Sequence, residues 1–364
     1  MLFTRIQTAN FRNLEPSTID VGKRQVVLVG VNGQGKTNFL EAIYTLCYGS
    51  SFRTQFLKEL ARNGERDFSL KAWFVDEEKM EHELSFYFKN AKRTILVDGK
   101  QIYDRKELMY TIPCIVFSHD DIWFVNGDPE QRRKFFDQTM SMYDPLFFDD
   151  LRHYKQILKQ RNQAIKDNQV SLLSIYDLQL AKYGVRIQEE RTKAVFEFNQ
   201  FFTDLYREVS GTDWNLVIKY NPSWKRCSTE QEIVDLLSQT RERDFILQTT
   251  SSGIHRDRFI VMCGDVPFAT QGSTGQIRLA SLLFRIAQMR FFKNKTGRNP
   301  VILVDDVLLE LDFTIRENFL KLIDGYDQAF FTFLPEEHYF KTLSETDVCM
   351  YDVRKGIFSR HEEL

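Results

Sequence analysis

The sequence predicts the α/β class, with a mixed core that is interrupted by a long α-helical insertion. A glycine-rich loop lies between a strand-like run and a helix-like run near residue 30, and a hydrophobic strand ending in two aspartates lies near residue 305. The stretch between them becomes charged and follows helical spacing. We therefore divide the chain into a first core part at residues 1–128, a helical arm at residues 129–250, and a second core part at residues 251–364.

The first core part begins with a mixture of strand and helix patterns, which predicts an α/β layer. Strand patterns occur at residues 3–8, 26–29, 68–74, 84–88 and 94–97, and helix patterns follow residue 36 and cover residues 55–61. The sequence Val97-Asp98-Gly99-Lys100 is typical of a tight turn. A β-hairpin is therefore expected close to this segment, with a polar break at residues 90–93 between its strands.

The glycine-rich loop has the spacing G-x-x-x-x-G-K-T in its strand, loop and helix context. Glycines allow successive backbone N–H groups to face phosphate oxygens, while the lysine adds a mobile charge and the threonine hydroxyl completes a Mg²⁺ shell. We expect ATP and Mg²⁺ to bind here, with Thr37 as a metal ligand; a glycine-rich turn with an unrelated lysine is the alternative. The expected nucleotide-binding residues of the loop are Gly30, Val31, Asn32, Gly33, Gln34, Gly35, Lys36 and Thr37.

Helical spacing dominates the arm. Apolar residues recur at this spacing over residues 151–165 and again, after a polar break at residues 166–169, over residues 176–205. The second series is interrupted only at residues 190–191. Two long helices are therefore expected to pack as a short, antiparallel, coiled-coil-like arm. A further helix should begin with a capping box at Thr229.

An acidic strand identifies the second core part. Residues 301–304 are apolar and are followed by two aspartates. Asp305 is expected to hold Mg²⁺, and Asp306 to orient or activate the attacking water. The candidate catalytic residues are therefore Lys36, Asp305 and Asp306, and a simple strand-to-loop cap is the alternative for the two aspartates.

A second anion site is predicted at residues 272–276, where Gly272-Ser273-Thr274-Gly275-Gln276 opens a helix. The hydroxyl of Ser273 and the helix N-terminus are the expected donors. The pentapeptide alone is a weak signal, because many loops that enter helices contain serine and glycine. Its place shortly before the acidic strand and far from Lys36 strengthens the prediction.

Composition excludes several classes of protein. The 49 basic and 51 acidic residues give a net charge of −2, so a nucleic-acid site would have to be a local patch. The five cysteines are widely spaced without a CxxC pair, which supports neither a disulfide framework nor a zinc site and favours a reducing compartment. The sequence has no signal peptide pattern and no apolar segment of membrane length, so we expect a cytoplasmic protein without a membrane partner.

The order of phosphate loop, long insertion, serine-glycine-glutamine motif and acidic strand resembles the ABC-type ATPases of the SMC and RecF branch. Within that branch the RecF family is similar nearly end to end. The resemblance implies a P-loop ABC/SMC-type ATPase head with an inserted α-helical arm. Further segments that carry it are Asn10-Phe11-Arg12-Asn13-Leu14, Ser51-Phe52-Arg53-Thr54, Val116-Phe117-Ser118, Arg132-Arg133-Lys134-Phe135-Phe136-Asp137, Gln160-Arg161-Asn162, His255-Arg256-Asp257 and Glu310-Leu311-Asp312.

The resemblance implies that two molecules sandwich ATP, each offering its phosphate loop to one nucleotide and its serine-glycine-glutamine motif to the other. ATP would hold a homodimer together and hydrolysis would release it, with slow, DNA-stimulated turnover that suits a switch. Thr332 would lie near the γ-phosphate as a switch residue, and a threonine in a buried strand is the equal alternative. The further nucleotide-site residues implied are Arg12, Asn13, Asn38, Ser273, Gly275, Gln276 and, at the dimer seam, Asp312.

The resemblance also implies the function: an ATP-dependent DNA-binding protein of recombinational repair and replication-fork maintenance, within the SOS response to DNA damage. Such proteins bind gapped duplex DNA or its junction with a single strand, and with RecR and RecO help load RecA. Several cations could meet phosphate oxygens here, although a solvated helix end is the alternative for the group near residue 132. The candidate DNA contacts are Arg53, Lys58, Arg62, Arg132, Arg133 and Lys134.

Other functions fit the sequence less well. A P-loop kinase would not need the second anion loop, and Met262 stands where the metal-binding asparagine of a protein kinase would follow His255-Arg256-Asp257. An SMC-like structural ATPase of chromosome maintenance is the alternative that remains, but its arm should be several times longer. A member that binds ATP without hydrolysis is disfavoured by the intact lysine and aspartates.

Overall fold

The computed structural model describes residues 1–307, 311–336 and 347–361, and gives only the backbone of residues 313 and 314. The chain forms two compact units. The first unit consists of Met1–His119, Phe292–Glu310 and Leu320–Leu364, and the second of Asp120–Phe291 and Leu311–Phe319. The domain boundaries expected from the sequence, after residues 128 and 250, stay predictions. Among the described residues no helix is both long and apolar enough to span a membrane.

Strands form three sheets. In chain order the strands are β1 (Leu2–Ala9), β2 (Ser17–Asp20), β3 (Gln25–Val29), β4 (Phe68–Val75), β5 (Glu81–Lys89), β6 (Lys92–Val97), β7 (Lys100–Gln101), β8 (Cys114–Phe117), β9 (Leu216–Asn221), β10 (Arg258–Cys263), β11 (Val266–Pro267), β12 (Val301–Val304), β13 (Gln328–Phe333), β14 (Val348–Arg354) and β15 (Ile357–Arg360). A six-stranded and largely parallel sheet has the order β15-β14-β3-β13-β12-β8, a six-stranded antiparallel sheet has the order β2-β1-β4-β5-β6-β7, and a three-stranded sheet has the order β11-β10-β9.

The parallel sheet places the two predicted core motifs at one edge. Strand β3, which precedes the phosphate loop, pairs in parallel with β13 and β14, and β12, which precedes the aspartates, pairs in parallel with β13 and β8. Every residue of β12 is buried, as are four of the five residues of β3. Such apolar runs suit strands that are covered on both faces, and their carboxyl ends meet at a common edge.

The antiparallel sheet confirms the predicted hairpin and corrects one predicted helix. Strands β5 and β6 turn at residues 90–91, and β6 and β7 turn at residues 98–99, with positive φ at all four positions. This is the backbone of tight hairpin turns. The helix expected at residues 55–61 is wrong: only a 3₁₀ turn, Leu57–Leu60, forms there. The hydroxyl of Thr54 accepts from the N–H of Phe56, and such local side-chain bonds compete with a helix.

Helices make up most of the second unit. Two of them confirm the predicted arm: α5 (Pro145–Lys166) and α6 (Val170–Ser210) are antiparallel, since Asp150 pairs with Arg186 at 3.4 Å and Arg161 pairs with Asp177 at 2.7 Å. A capping box of Thr229 and a glutamate opens α7 (Glu230–Gln239), as expected. In chain order the helices are α1 (Lys36–Tyr48), α2 (Arg105–Thr111), α3 (Trp123–Asn126), α4 (Pro129–Ser141), α5 (Pro145–Lys166), α6 (Val170–Ser210), α7 (Glu230–Gln239), α8 (Arg241–Leu247), α9 (Thr274–Thr296) and α10 (Phe313–Leu322).

A buried ion pair explains the interruption in the apolar pattern of α6. Arg191 is 1% exposed and lies between two carboxylates. Its guanidinium donates to Asp137 at 2.8 and 3.0 Å, to Asp257 at 2.7 Å, and to the carbonyl oxygen of Ile254 at 2.7 Å. The arginine therefore joins α4, α6 and the segment before β10 through charge rather than through apolar packing.

His255 gives the second unit a pH-dependent stability. Tyr154 and the carbonyl oxygen of Thr250 each lie 3.1 Å from a ring nitrogen of His255, so the neutral ring accepts from the tyrosine and donates to the carbonyl. Burial lowers the pKa of His255 to about 4. Because the unfolded histidine titrates near pH 6.5, stability should fall as pH drops from that value towards 4.

We expect the free energy of unfolding to fall by about 2 kcal/mol between pH 7.5 and pH 5 because of this one residue. Urea unfolding at both pH values measures the loss. His255→Gln keeps a donor for the Thr250 carbonyl but does not titrate, so its loss should be smaller by that amount. Equal losses in the two proteins would contradict the assignment.

Candidate nucleotide site

The phosphate loop follows β3 and leads directly into α1. Gly33 and Gly35 have φ values of +78° and +116°, in a region that favours glycine. At Gly30 the constraint is space, because a Cβ there would lie 2.5 Å from the carbonyl oxygen of Val353. The loop therefore needs its three glycines for two different reasons.

Lys36 begins α1, and its side chain turns back over the loop. The ammonium donates to the carbonyl oxygen of Gly30 at 2.6 Å and lies 3.6 Å from the carboxylate of Asp306. Only 3% of the side chain is exposed. An ammonium held by a loop carbonyl can exchange that acceptor for a phosphate oxygen, because its donors rotate freely on a flexible stem.

Thr37 and Asp305 meet although 268 positions separate them in the sequence. Thr37 Oγ1 donates to Asp305 Oδ1 at 2.8 Å. Burial raises the pKa of Asp305 to about 6; the Thr37 hydrogen bond opposes this shift, and the charge of Asp306 adds to it. The structure thus brings together a hydroxyl and a desolvated carboxylate, the kind of oxygen donors that Mg²⁺ prefers.

Asp306 is oriented by Thr332 on β13. The N–H of Asp306 donates to Thr332 Oγ1 at 2.8 Å, and this hydroxyl lies 2.9 Å from Asp306 Oδ1 and 3.3 Å from Asp305 Oδ1. Asp306 itself has a φ of +48°, which is uncommon outside glycine. Thr332 is therefore a buried strand residue that also contacts both aspartates, and its role as a switch stays a prediction.

The loop after β1 lies beside the phosphate loop. Asn13 Nδ2 donates to the carbonyl oxygen of Gly33 at 3.1 Å, and Asn38 Nδ2 donates to Asn13 Oδ1 at 2.7 Å. Arg12 points elsewhere, since two of its nitrogens bind the two carboxylate oxygens of Glu41 at 2.9 and 2.8 Å. Asn13 and Asn38 thus lie beside the phosphate loop, whereas Arg12 binds Glu41 on α1. The contact of all three residues with nucleotide stays a prediction.

Glu41 is a site residue that sequence reasoning did not select. Its side chain is fully buried on α1, where it binds Arg12, accepts from Ser51, and pairs with Arg53 at 3.3 Å. One carboxylate therefore fixes two arginines and the segment that follows α1. The sequence signal for it was a single glutamate within the largely apolar run of residues 39–47.

The turn between β14 and β15 is a second feature that the sequence did not place. The backbone N–H groups of Lys355 and Gly356 donate to the side chain and the carbonyl of Gln34 at 2.7 and 2.8 Å. Gly356 also approaches the loop after β1 so closely that a Cβ would lie 2.1 Å from the carbonyl oxygen of Asn13. A Lys-Gly pair between alternating runs predicts a hairpin, but not its contact with the phosphate loop.

The serine-glycine-glutamine motif opens α9 in the second unit. Gln276 Oε1 accepts from the N–H of Ser273 at 2.9 Å, and Ser273 Oγ accepts from the N–H of Gln276 at 3.3 Å. This is a reciprocal capping box, and Ser273 and Gly275 remain exposed. A positive helix end is thus presented to solvent.

Asp312 is exposed, and its carbonyl oxygen accepts from the N–H of Arg316 at 2.9 Å. It therefore stands just ahead of α10. Glu310, which precedes it in the motif that carried the family resemblance, lies outside the described residues.

The candidate DNA contacts of the first unit differ in whether a carboxylate of the chain already pairs with them. Arg53 is engaged by Glu41, and Arg62 pairs with Glu15 at 2.9 Å. Lys58 is exposed, with its ammonium 5.8 Å from the ring centre of Phe56. Contact of these side chains with DNA stays a prediction.

Two of the three candidate contacts of the second unit are half-buried. Arg132 donates to the carbonyl oxygen of Gly127 and Arg133 to that of Asp257, each at 2.8 Å. Burial lowers the pKa of both guanidinium groups. Among the three neighbouring cations of this group only Lys134 is exposed. The two arginines are thus structural donors rather than a solvated helix end, and their contact with DNA stays a prediction.

Comparison with solved structures supports the fold that carries this site. The recombination mediator protein RecF-ATP in the RecFOR pathway superposes with a TM-score of 0.89 at 28% identity, over 99% of this chain and 98% of that chain. The RecF-ATPrS structure of the same pathway has a TM-score of 0.87 at 29% identity, with the same coverage. An SMC head bound to the C-winged helix domain of ScpA, at 12% identity and a TM-score of 0.57, shares the fold alone.

Sequence comparison gives the same result. The model of the RecF/RecN/SMC N terminal domain matches residues 2–358. The DNA replication and repair protein RecF of Treponema pallidum (strain Nichols) is 42% identical over 91% of this chain and 93% of its own length. The protein of the same name from Clostridium botulinum (strain Okra / Type B1) is 32% identical over 99% of this chain and 100% of its own. This chain, with its α/β ATPase head of the ABC/SMC type, therefore belongs to the RecF family.

Proposed function

We propose that this chain is an ATP-dependent DNA-binding protein of recombinational repair and replication-fork maintenance, acting as a slow ATPase switch. The contact of 2.8 Å between Thr37 and Asp305 carries the proposal, because it joins the two halves of a nucleotide site from opposite ends of the chain. ATP binding is supported by the ATP-containing RecF structures with which the chain superposes.

In the proposed mechanism Lys36 binds the phosphates of ATP, and Thr37 and Asp305 provide the ligands for Mg²⁺. Lys36 would leave the carbonyl of Gly30 for the β and γ oxygens of ATP, and Thr37 and Asp305 would hold Mg²⁺, which when bound would supply positive charge against those oxygens. No group of three or more His, Cys, Asp or Glu side chains in the described part of the chain could hold a metal ion. The Thr37 hydroxyl and the Asp305 carboxylate nevertheless fit Mg²⁺, because this ion is usually bound by only one or two protein oxygens, and phosphates and water would supply its other ligands.

Asp306 is the residue proposed to act on the attacking water. Once Lys36 engages the phosphates, the carboxylate 3.6 Å away from it loses that partner and can orient or deprotonate the attacking water. An aspartate reaches less far than a glutamate would, and Thr332 holds it close to its own backbone. Both features favour slow turnover, with ATP used to set a state rather than to drive rapid cycles.

The second anion site acts in a partner molecule. The exposed N-terminus of α9, with Ser273, Gly275 and Gln276, would close over the nucleotide of a second copy, and Asp312 would lie at the seam. ATP would then be buried by a homodimer, which hydrolysis would release.

DNA is the proposed macromolecular partner, as gapped duplex or as its junction with a single strand. RecR and RecO are proposed protein partners, with RecA as the protein loaded, in a cytoplasmic setting and as part of the SOS response. The RecFOR pathway named for the superposed RecF structures supports this context. The 22 residues of α5 give an arm about 33 Å long, which disfavours the SMC-like structural alternative.

We expect the mass measured by light scattering after size exclusion to double when ATP and Mg²⁺ are added. Ser273→Arg should keep the protein monomeric, because the larger cationic side chain would obstruct the nucleotide site of the partner. Nucleotide binding measured by fluorescence should remain within about threefold of wild type, since Ser273 acts on the other copy.

A matched control is Thr270→Arg, an exposed position shortly before the motif. This variant should still dimerise. A monomeric wild type that nevertheless binds ATP would contradict the proposed sandwich, and so would a Ser273→Arg protein that dimerises normally.

A further inference from the structure

One face of α5 carries a line of cations. Arg152, Lys155, Lys159 and Lys166 are all exposed. Their spacing of three, four and seven residues places them on the same side of the helix. From the first to the last they extend over about 21 Å at 1.5 Å per residue. We call these four residues the α5 stripe.

The surrounding segment has a local charge that the whole chain does not share. Residues 151–186 contain seven Lys and Arg but only two Asp, while the complete chain has a net charge of −2. Asp177 is fully buried against Arg161, so it does not offset the surface charge. Asp167 is the single exposed acid of this segment, and it accepts from Gln163 at 2.9 and 3.1 Å.

Three of the four cations in the stripe lack a neutralising partner among the described residues. Arg152 pairs with Asp149 at 2.8 Å, but none of the described residues forms a salt bridge with Lys155, Lys159 or Lys166. Like charges on one helix face repel one another and weaken the helix slightly. The three uncompensated lysines on one helix face therefore point to an anion outside the chain.

The chemistry of the stripe distinguishes between polyanions. Lysine is depleted in protein–protein interfaces, which rely on aromatic residues and arginine, so an acidic protein fits poorly. Single-stranded nucleic acid is held by stacking on free aromatic side chains, but the rings beside the stripe are already engaged: the ring centre of Phe148 lies 5.9 Å from the guanidinium of Arg152, and His153 stacks on Tyr183 with ring centres 5.2 Å apart. Cations along one face of a helix suit the phosphates of a duplex, whose backbone contacts are independent of sequence.

We propose that the α5 stripe binds the phosphate backbone of double-stranded DNA. This inference rests on the proposed function, because it supplies a duplex-binding surface for a protein that acts on gapped DNA. The surface lies on the arm and was not among the DNA contacts expected from the sequence. It is independent of the nucleotide residues, so it should supply affinity without altering ATP binding.

The test is fluorescence anisotropy with a 30-base-pair duplex and a 30-nucleotide single strand, in ATP and Mg²⁺, between 50 and 200 mM KCl. The variant replaces Lys155, Lys159 and Lys166 by glutamine, which removes three charges but keeps length and helix propensity. The control removes the same charge from the first unit, at the exposed Lys89, Lys92 and Lys100.

We expect the stripe variant to bind the duplex about 10- to 100-fold more weakly at 100 mM KCl, and the slope of log Kd against log salt to fall by about 0.9 for each phosphate that the protein no longer neutralises. The control should stay within about threefold, and ATP-dependent mass doubling should persist in both. If the stripe variant binds duplex as tightly as the control, this inference is wrong while the proposed function stands. If wild type binds no DNA at all, both fail; if the variant loses only single-strand binding, the assignment to duplex is wrong.

Discussion

Replacement of Lys36 by methionine is expected to reduce ATP hydrolysis by about a thousandfold and to abolish ATP-dependent dimerisation. Methionine keeps the length and much of the volume of the side chain but removes the charge. In the structure that charge is shared between the Gly30 carbonyl, at 2.6 Å, and Asp306, at 3.6 Å. Without it, the oxygens of the γ-phosphate would lose their main protein cation in a largely buried loop. Phosphate release at saturating ATP and Mg²⁺ measures the effect.

A methionine at the exposed Lys100 provides the matched control for this loss of charge. Its hydrolysis rate should equal that of wild type. The Lys36→Met protein should unfold at a similar urea concentration, because Asp306 is partly exposed and can be solvated. Hydrolysis within about threefold of wild type by Lys36→Met would show that the phosphate loop is not the hydrolytic site.

Replacement of Arg191 by methionine should destabilise the second unit by about 3–5 kcal/mol. The arginine is 1% exposed and satisfies Asp137 and Asp257, which are themselves 10% and 0% exposed. Removing it would leave two buried carboxylates without a counter-charge, and that desolvation cost is not recovered by the apolar methionine. Urea unfolding followed by hydrogen exchange of α6 and β10 measures the loss.

Arg186 on the same helix gives the control, because its side chain is 47% exposed and its pair with Asp150 is long, at 3.4 Å. Arg186→Met should cost no more than about 1 kcal/mol. Similar losses for the two variants would mean that the ion pairs around Arg191 contribute no more than a surface contact.

The correct sequence predictions depend on residues close together in the chain, and most of the missed features depend on contacts between distant segments. The phosphate loop, the hairpin turns and the arm helices depend on residues close in the chain, and each was predicted. Strand β9 was missed, because its place is set by pairing with β10, about forty residues later. The helix predicted at residues 55–61 does not form, because the hydroxyl of Thr54 accepts a hydrogen bond from the N–H of Phe56 and so competes with helical hydrogen bonding.

Within the site, the sequence selected residues but did not predict all of their contacts. The sequence selected Thr37 and Asp305, and the parallel order of β3, β13 and β12 brings them to the same sheet edge. Arg12 was predicted to contact the nucleotide, and this stays a prediction; the structure adds that its guanidinium binds Glu41, which was not selected. A side chain's partner depends on which elements pack together, and spacing alone does not encode that.

The sequence by itself determined the α/β class, the inserted arm, the phosphate loop and the acidic strand, because glycine patterns, charge and helical periodicity are local properties. Only the tertiary structure decided that Glu41 would hold two arginines, that a C-terminal turn would contact Gln34, and that Arg191 would be buried between two carboxylates. The physical reason is that burial changes what a charged residue does. An arginine on the surface is solvated by water, whereas a buried arginine needs a carboxylate partner. Which of the two applies is decided only when the chain folds.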